Sequence, residues 1–113
     1  MKVIIAGSRD ITGIGSVWEA IDGTPWEITE VVSGGARGPD SNGEKWAESS
    51  GIPVKKFPAD WDKYGKGAGI VRNGEMAAYA DALIAIWDGK SKGTLHMICD
   101  MVAKKKPVYV YCP

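Results

Sequence analysis

The chain is poor in the groups on which many chemistries depend. It has two cysteines, Cys99 and Cys112, with neither CxxC spacing nor a histidine cluster, so no zinc site is readable and reduced thiols are expected. Its single histidine, His96, falls in a helical pattern, which excludes a Ser/His/Asp triad argued from sequence and reads as a half-exposed helix residue. Fourteen basic and fourteen acidic residues cancel, which argues against a general nucleic-acid coat or an anionic-membrane binder. No apolar run approaches transmembrane length, and the chain opens directly on a strand pattern, so the expectation is a cytoplasmic protein without a secretory leader. GxxxxGK[ST] is absent. So is GxGxxG, because Gly13-Ile14-Gly15 lacks the third glycine and does not directly follow a strand. No motif calls for a metal or a resident cofactor.

What is present is a regular alternation of short apolar runs and helical periods over 113 residues, the size of one domain. Strands are expected at about Lys2–Ala6, Ile28–Ser33, Val54–Phe57, Ala82–Trp87 and Val108–Tyr111. Helices are expected from Ile14 to near Gly23, Asp40 to Ser49, Ile70 to Ala80, and through Leu95, Ile98, Cys99 and Val102, with Pro58–Gly69 as a longer loop. Ile70, Gly74 and Ala77, with Ala80 or Asp81, would form the packed face of the third helix. Lys104, Lys105 and Lys106 suit the dipole at the end of the last one. The order β-α-β-α-β-α-β-α-β implies an α/β fold: one Rossmann-like, doubly wound, mostly parallel five-stranded sheet with helices on both faces and strand one central.

In such sheets ligands bind beyond the carboxyl ends of the strands. Three glycine-rich turns follow strands here and so share that edge: Gly7-Ser8-Arg9-Asp10, Ser33-Gly34-Gly35-Ala36-Arg37-Gly38-Pro39-Asp40, and Asp88-Gly89-Lys90-Ser91-Lys92-Gly93-Thr94. Glycine lets backbone amides approach a ligand, and a helix start presents unpaired N–H donors to anions. All three arginines, Arg9, Arg37 and Arg72, lie near such edges and can add bidentate charge. The eleven lysines lie mostly elsewhere. Arg37 would clamp a phosphate, while Asp40 would cap the following helix or accept from a ribose hydroxyl. Ser91 or Thr94 would cap the last helix. Arg9 would face the ligand or pair with Asp10 or Asp88. Trp61 and Tyr64 would stack on a base, cover the core or meet a second copy. Trp18 and Trp46 fit apolar helix faces, and Trp87 is open to either role.

Gly7-Ser8-Arg9, Val32-Ser33-Gly34-Gly35-Ala36-Arg37-Gly38, Gly51-Ile52-Pro53-Val54, Phe57-Pro58-Ala59-Asp60-Trp61, Arg72-Asn73, Ala80-Asp81-Ala82-Leu83 and Trp87-Asp88-Gly89 through Gly93-Thr94 occur in this order. This ordered set closely resembles the small YspA-like, single-domain branch of the SLOG superfamily, and it covers nearly the whole chain. The superfamily includes the LOG phosphoribohydrolases and the DNA-processing protein DprA, and many of its small members occur in phage and bacterial genomes. The resemblance implies a Rossmann-like domain spanning 1–113 that binds a nucleotide-derived small molecule such as NAD, ADP-ribose or a related phosphorylated nucleoside. Its ligand-binding residues would be Gly7, Ser8, Arg9, Gly34, Gly35, Ala36, Arg37, Asp40, Arg72, Asn73, Asp88, Gly89, Ser91, Gly93 and Thr94.

LOG enzymes carry GGxGTxxE and RxxxM motifs. Arg72-Asn73-Gly74-Glu75-Met76 keeps the second, but Gly93-Thr94-Leu95-His96-Met97 places methionine where the catalytic glutamate falls. Glu75 or Asp88 would replace it only where the geometry allows. The resemblance therefore points to binding or sensing before LOG-like N-glycosidic hydrolysis. A phage protein that sequesters a host signalling nucleotide, and a single-stranded nucleic-acid module, are the further alternatives. The family and the apolar last helix leave a homodimer open.

Overall fold

A computed structural model describes residues 1–113. The elements run β1 (Lys2–Gly7), α1 (Ile14–Asp22), β2 (Glu30–Ser33), α2 (Pro39–Ser50), β3 (Val54–Lys56), α3 (Trp61–Tyr64), α4 (Ala68–Tyr79), β4 (Ala82–Ile86), α5 (Lys92–Ala103) and β5 (Val108–Tyr111). The five strands form one sheet in the order β3-β2-β1-β4-β5, with every pairing parallel and β1 in the centre.

Strand alternation divides the core into two layers. Val3, Ile5, Ile84 and Ile86 face Val17 and Ala20 of α1 and Ala47 of α2. Ile4, Ala6, Leu83 and Ala85 face Met76 and Ala77 of α4 and Met97 and Met101 of α5. All five residues of β4 are buried, because helices cover both faces of that strand. Gly43 is what lets α2 lie close on the sheet: a Cβ there would sit 2.7 Å from Ile5 Cγ2.

Several expectations are corrected. The segment 58–69 is not a plain loop. Asp60 caps the short α3 by accepting from Lys63 N, and a 3-10 turn over Gly65–Gly67 leads into α4. The buried face of α4 is Ala68, Asn73, Met76 and Ala77, while Ile70 is 58% exposed. Met76 packs into the core layer on this face, and Ile70 does not. The same holds in α5, which buries Thr94, Met97 and Met101 and turns Leu95, Cys99 and Val102 outward. The Lys106 backbone N–H donates to Met101 O of α5 at 3.0 Å, but its side chain serves another helix. Its Nζ donates to the Ala77, Ala78 and Ala80 carbonyls at 2.7, 3.2 and 2.7 Å and so closes the C-terminus of α4. Trp18 and Trp46 are half-buried and pack against the rim of the α1/α2 layer.

Candidate functional site

The strand order reverses about β1, so β2 and β4 leave the sheet on opposite sides of it and open a crevice at their carboxyl ends. The three glycine-rich turns meet there. Ser8 N donates to Ile86 O at 2.9 Å, and Ser8 Oγ accepts from Asp88 N at 3.0 Å. Ser8 is 1% exposed and locks the first turn to the third. Gly7 permits this closeness, since a Cβ there would sit 2.0 Å from Ile86 O. In the third turn Asp88 Oδ1 accepts from Lys90 N and Ser91 N at 2.7 and 2.8 Å. The Ser91 and Lys90 amides thereby hold the Asp88 carboxyl below the usual carboxylate range. Ser91 is the N-cap of α5: its Oγ accepts from Thr94 N and from Thr94 Oγ1. Trp87 braces this helix start by donating from Nε1 to Ser91 O at 3.0 Å.

Arg72 and Asn73 of α4 clasp the second turn to the third. Arg72 Nη1 donates to Gly34 O at 2.7 Å, and its Nε donates to Asn73 Oδ1 at 3.2 Å. Asn73 Nδ2 in turn reaches Gly93 O and His96 Nδ1, each at 3.4 Å. A Cβ on Gly34 would sit 2.6 Å from Arg72 Nη1 and 3.0 Å from Asp40 Oδ2, so both groups crowd over that glycine.

Asp40 does not cap α2. It is the second helical residue, behind Gly38 and Pro39, and no side chain caps this helix. It is buried beside Arg72 instead, and burial pushes its carboxyl up to about 6, against the opposing pull of Arg72 and the Ala36 and Gly34 amides.

These turns enclose a cleft of about 810 Å³. Of the residues expected at a site, Gly7, Ser8, Arg9, Ala36, Asp40, Arg72, Asn73, Asp88, Ser91, Gly93 and Thr94 line it. Gly34 and Gly35 line a smaller adjoining cavity of about 370 Å³, whose walls include Arg9, Ala36, Trp61 and Arg72, shared with the cleft. Arg37 and Gly89 line neither, and Arg37 is exposed. Its turn holds Gly35 at φ +74°. Arg9 has no ion-pair partner: the ion pairs are Lys56–Glu44 and His96–Asp100.

Sequence reasoning passed over Lys66, Lys90, Lys92 and His96, which also line the cleft. The two lysines of the third turn were legible as neighbours of its glycines. His96 was not, because nothing in one helix reveals what α4 brings opposite it. His96 Nδ1 lies 3.5 Å from Asp100 Oδ2, a buried oxygen with no hydrogen bond. Met97 lies at the cleft wall and is 2% exposed. Asp88 lines the cleft, whereas Glu75 is exposed and outside it. Although the chain carries no net charge, the cleft collects Arg9, Lys66, Arg72, Lys90 and Lys92 against Asp10, Asp40 and Asp88.

An all-parallel sheet in this order, with glycine turns converging on a cation-rich crevice, defines a Rossmann-like α/β domain. The chain belongs to the YspA, cpYpsA-related SLOG family, whose profile matches residues 1–64. It is 37% identical over 119 residues to the Gene 61 protein of Mycobacterium phage D29, covering 96% of this chain and 93% of that protein. Its fold is similar to that of DNA processing protein A (DprA) from Streptococcus pneumoniae, with a TM-score of 0.79 at 20% identity over 96% of this chain. The chain spans about half, 49%, of the DprA chain. No helix is long and apolar enough to cross a membrane.

Proposed function

We propose that the protein binds a nucleotide-derived small molecule in the cleft at the carboxyl edge of the sheet. NAD, ADP-ribose and related phosphorylated nucleosides are the ligands to test first. The observation that carries this reading is the charge of the cleft: two arginines and three lysines face three carboxylic acids in a chain with no net charge. The amino-terminal turn of α5 adds its amides on one wall, and Arg9 adds an unpaired guanidinium at the rim. Family membership supports a nucleotide-related ligand. Trp61, 56% exposed at the mouth, offers a face on which a base can stack.

LOG-like hydrolysis is the second reading. Cleaving an N-glycosidic bond needs a carboxylate to stabilise positive charge or activate water. Met97 stands at the motif position of that carboxylate, and the Asp88 carboxyl is engaged by its own turn. Asp40, a buried acid lining the cleft, keeps the reading open to test.

One incubation separates the two. Purified protein is titrated calorimetrically with AMP, NAD and ADP-ribose, and the same mixtures are chromatographed for free base or ribose phosphate. Saturable binding without product is expected. A thermal-shift screen provides the wider survey, because a ligand at about 100 times its dissociation constant adds about 2.7 kcal/mol of stability. Absence of binding by all three would refute the proposal. Steady product release that is lost in Asp40→Asn would replace it with the hydrolase reading.

A further inference from the structure

The smaller cavity differs in character from the cleft it adjoins. Three cations line it, Arg9, Lys56 and Arg72, and no carboxylate does. Arg9 has no ion-pair partner. Arg72 is held in place by its bond to Gly34 O, and its pull on the Asp40 carboxyl crosses to the cleft side. Lys56, at the end of the edge strand β3, pairs with Glu44 at 3.3 Å but keeps a side chain 66% exposed. The other walls are Gly34, Gly35 and Ala36 on one side and Pro58, Ala59 and Trp61 on the other. No carboxylate is among its walls, and the exposed Lys56 ammonium offers an anion a solvent-facing cation. The start of α5, with Lys90 and Lys92, lies on the wall of the larger cleft and not of this chamber. The molecule thus presents two separate sets of anion-attracting groups. Arg9 and Arg72 stand between them on the shared wall.

We infer that the smaller cavity is a second phosphate subsite, and that the preferred ligand is a nucleoside bisphosphate, with phosphates at two separate positions of one nucleoside. This rests on the nucleotide-binding reading of the cleft. One phosphate sits against the start of α5, the nucleoside fills the cleft, and the second phosphate enters the chamber between Arg9, Arg72 and Lys56. A monophosphate satisfies one subsite only. Lys56 touches the chamber alone, so its contribution belongs to the second phosphate, whereas Arg9 and Arg72 serve both.

The test is calorimetric titration of the whole chain with adenosine 5′-monophosphate and with adenosine 3′,5′-bisphosphate. The bisphosphate is expected to bind at least about tenfold more tightly, the scale of one charge-assisted contact. Lys56→Ala is expected to remove most of that advantage and to change monophosphate affinity less than about twofold. Ala59→Glu, which places a carboxylate in the chamber wall, is expected to weaken the bisphosphate selectively. Equal affinity of the two nucleotides for the parent protein overturns the inference and leaves the cleft reading standing. Equal losses for both nucleotides in Lys56→Ala also overturn it. Binding of neither nucleotide refutes the cleft reading itself.

Discussion

Gly34→Ala is the most informative single substitution, because it perturbs the site where Arg72 and Asp40 crowd together. The new methyl would sit 2.6 Å from Arg72 Nη1 and 3.0 Å from Asp40 Oδ2, both inside ordinary contact distance. Gly34 itself does not have a positive φ, so alanine meets no backbone strain there. Arg72 Nη1 is the far end of a flexible side chain, and it moves at lower cost than backbone does. The displaced guanidinium gives up its 2.7 Å bond to Gly34 O and leaves the wall shared by the two cavities. A hydrogen bond to a charged group contributes about 1.5–3 kcal/mol, so ligand affinity should fall roughly tenfold to a hundredfold. Arg72→Ala should lose a similar amount. The double variant should lose no more than either alone, since both changes remove the same guanidinium. Titration of the three variants with AMP or ADP-ribose measures this directly, and urea unfolding checks that the fold survives. Parent-like affinity in Gly34→Ala, or losses that simply add, would refute the assignment of Arg72 to the ligand.

Asp40 makes stability depend on pH in the direction opposite to a salt-bridged carboxylate. Its folded pKa is raised from 3.8 to about 6, so between these values the native state binds more protons than the unfolded chain. The parent should therefore lose on the order of 3 kcal/mol of the Asp40 contribution as pH rises from about 4 to above 6. Asp40→Asn should lack that loss and be the more stable protein at pH 8, and superimposable urea-unfolding profiles for the two proteins would contradict the burial argument. Lys106→Met should cost about 1.5–3 kcal/mol in urea unfolding, because three carbonyls at the end of α4 lose a charged donor. Gly43→Ala should destabilise by about 1–3 kcal/mol through overpacking against Ile5, with a matching drop in the thermal midpoint. The parent protein should release no base or ribose phosphate from AMP, NAD or ADP-ribose, as judged by chromatography.

Much of the architecture was legible from local pattern. The apolar run Ala82–Ile86 reads as a strand covered on both faces, and it is one. Gly23 and Gly51 punctuate helix ends in the chain as they do in the fold, whereas α5 ends at Ala103 with Lys104 as its C-cap, ahead of Pro107. The alternation of strands and helices, with the rule that crossovers are right-handed, is enough to place three glycine turns on one edge of a parallel sheet. The family was legible as well, and its profile match over residues 1–64 takes in the first two of those turns. Helix facing was less secure. In α5 two apolar stripes compete, Leu95-Ile98-Cys99-Val102 and Met97-Met101, and the spacing of either suits a helix. The packing turned the second inward, with half-buried Ile98 of the first against the same core.

By itself, then, the sequence determined the alternation of strands and main helices, the parallel sheet and the edge on which the glycine-rich turns gather, since each follows from short-range preference and chain connectivity. The tertiary structure alone decided which side chains share a space. Arg37 stands outside both cavities although its turn is the most loaded in the chain. Arg72 and Asp40, 32 positions apart, meet over Gly34, and burial there shifts the acid. His96 enters the cleft because α4 and α5 pack side by side. Such meetings depend on long-range packing and on the desolvation that comes with it, and neither is written in the spacing of residues along a chain.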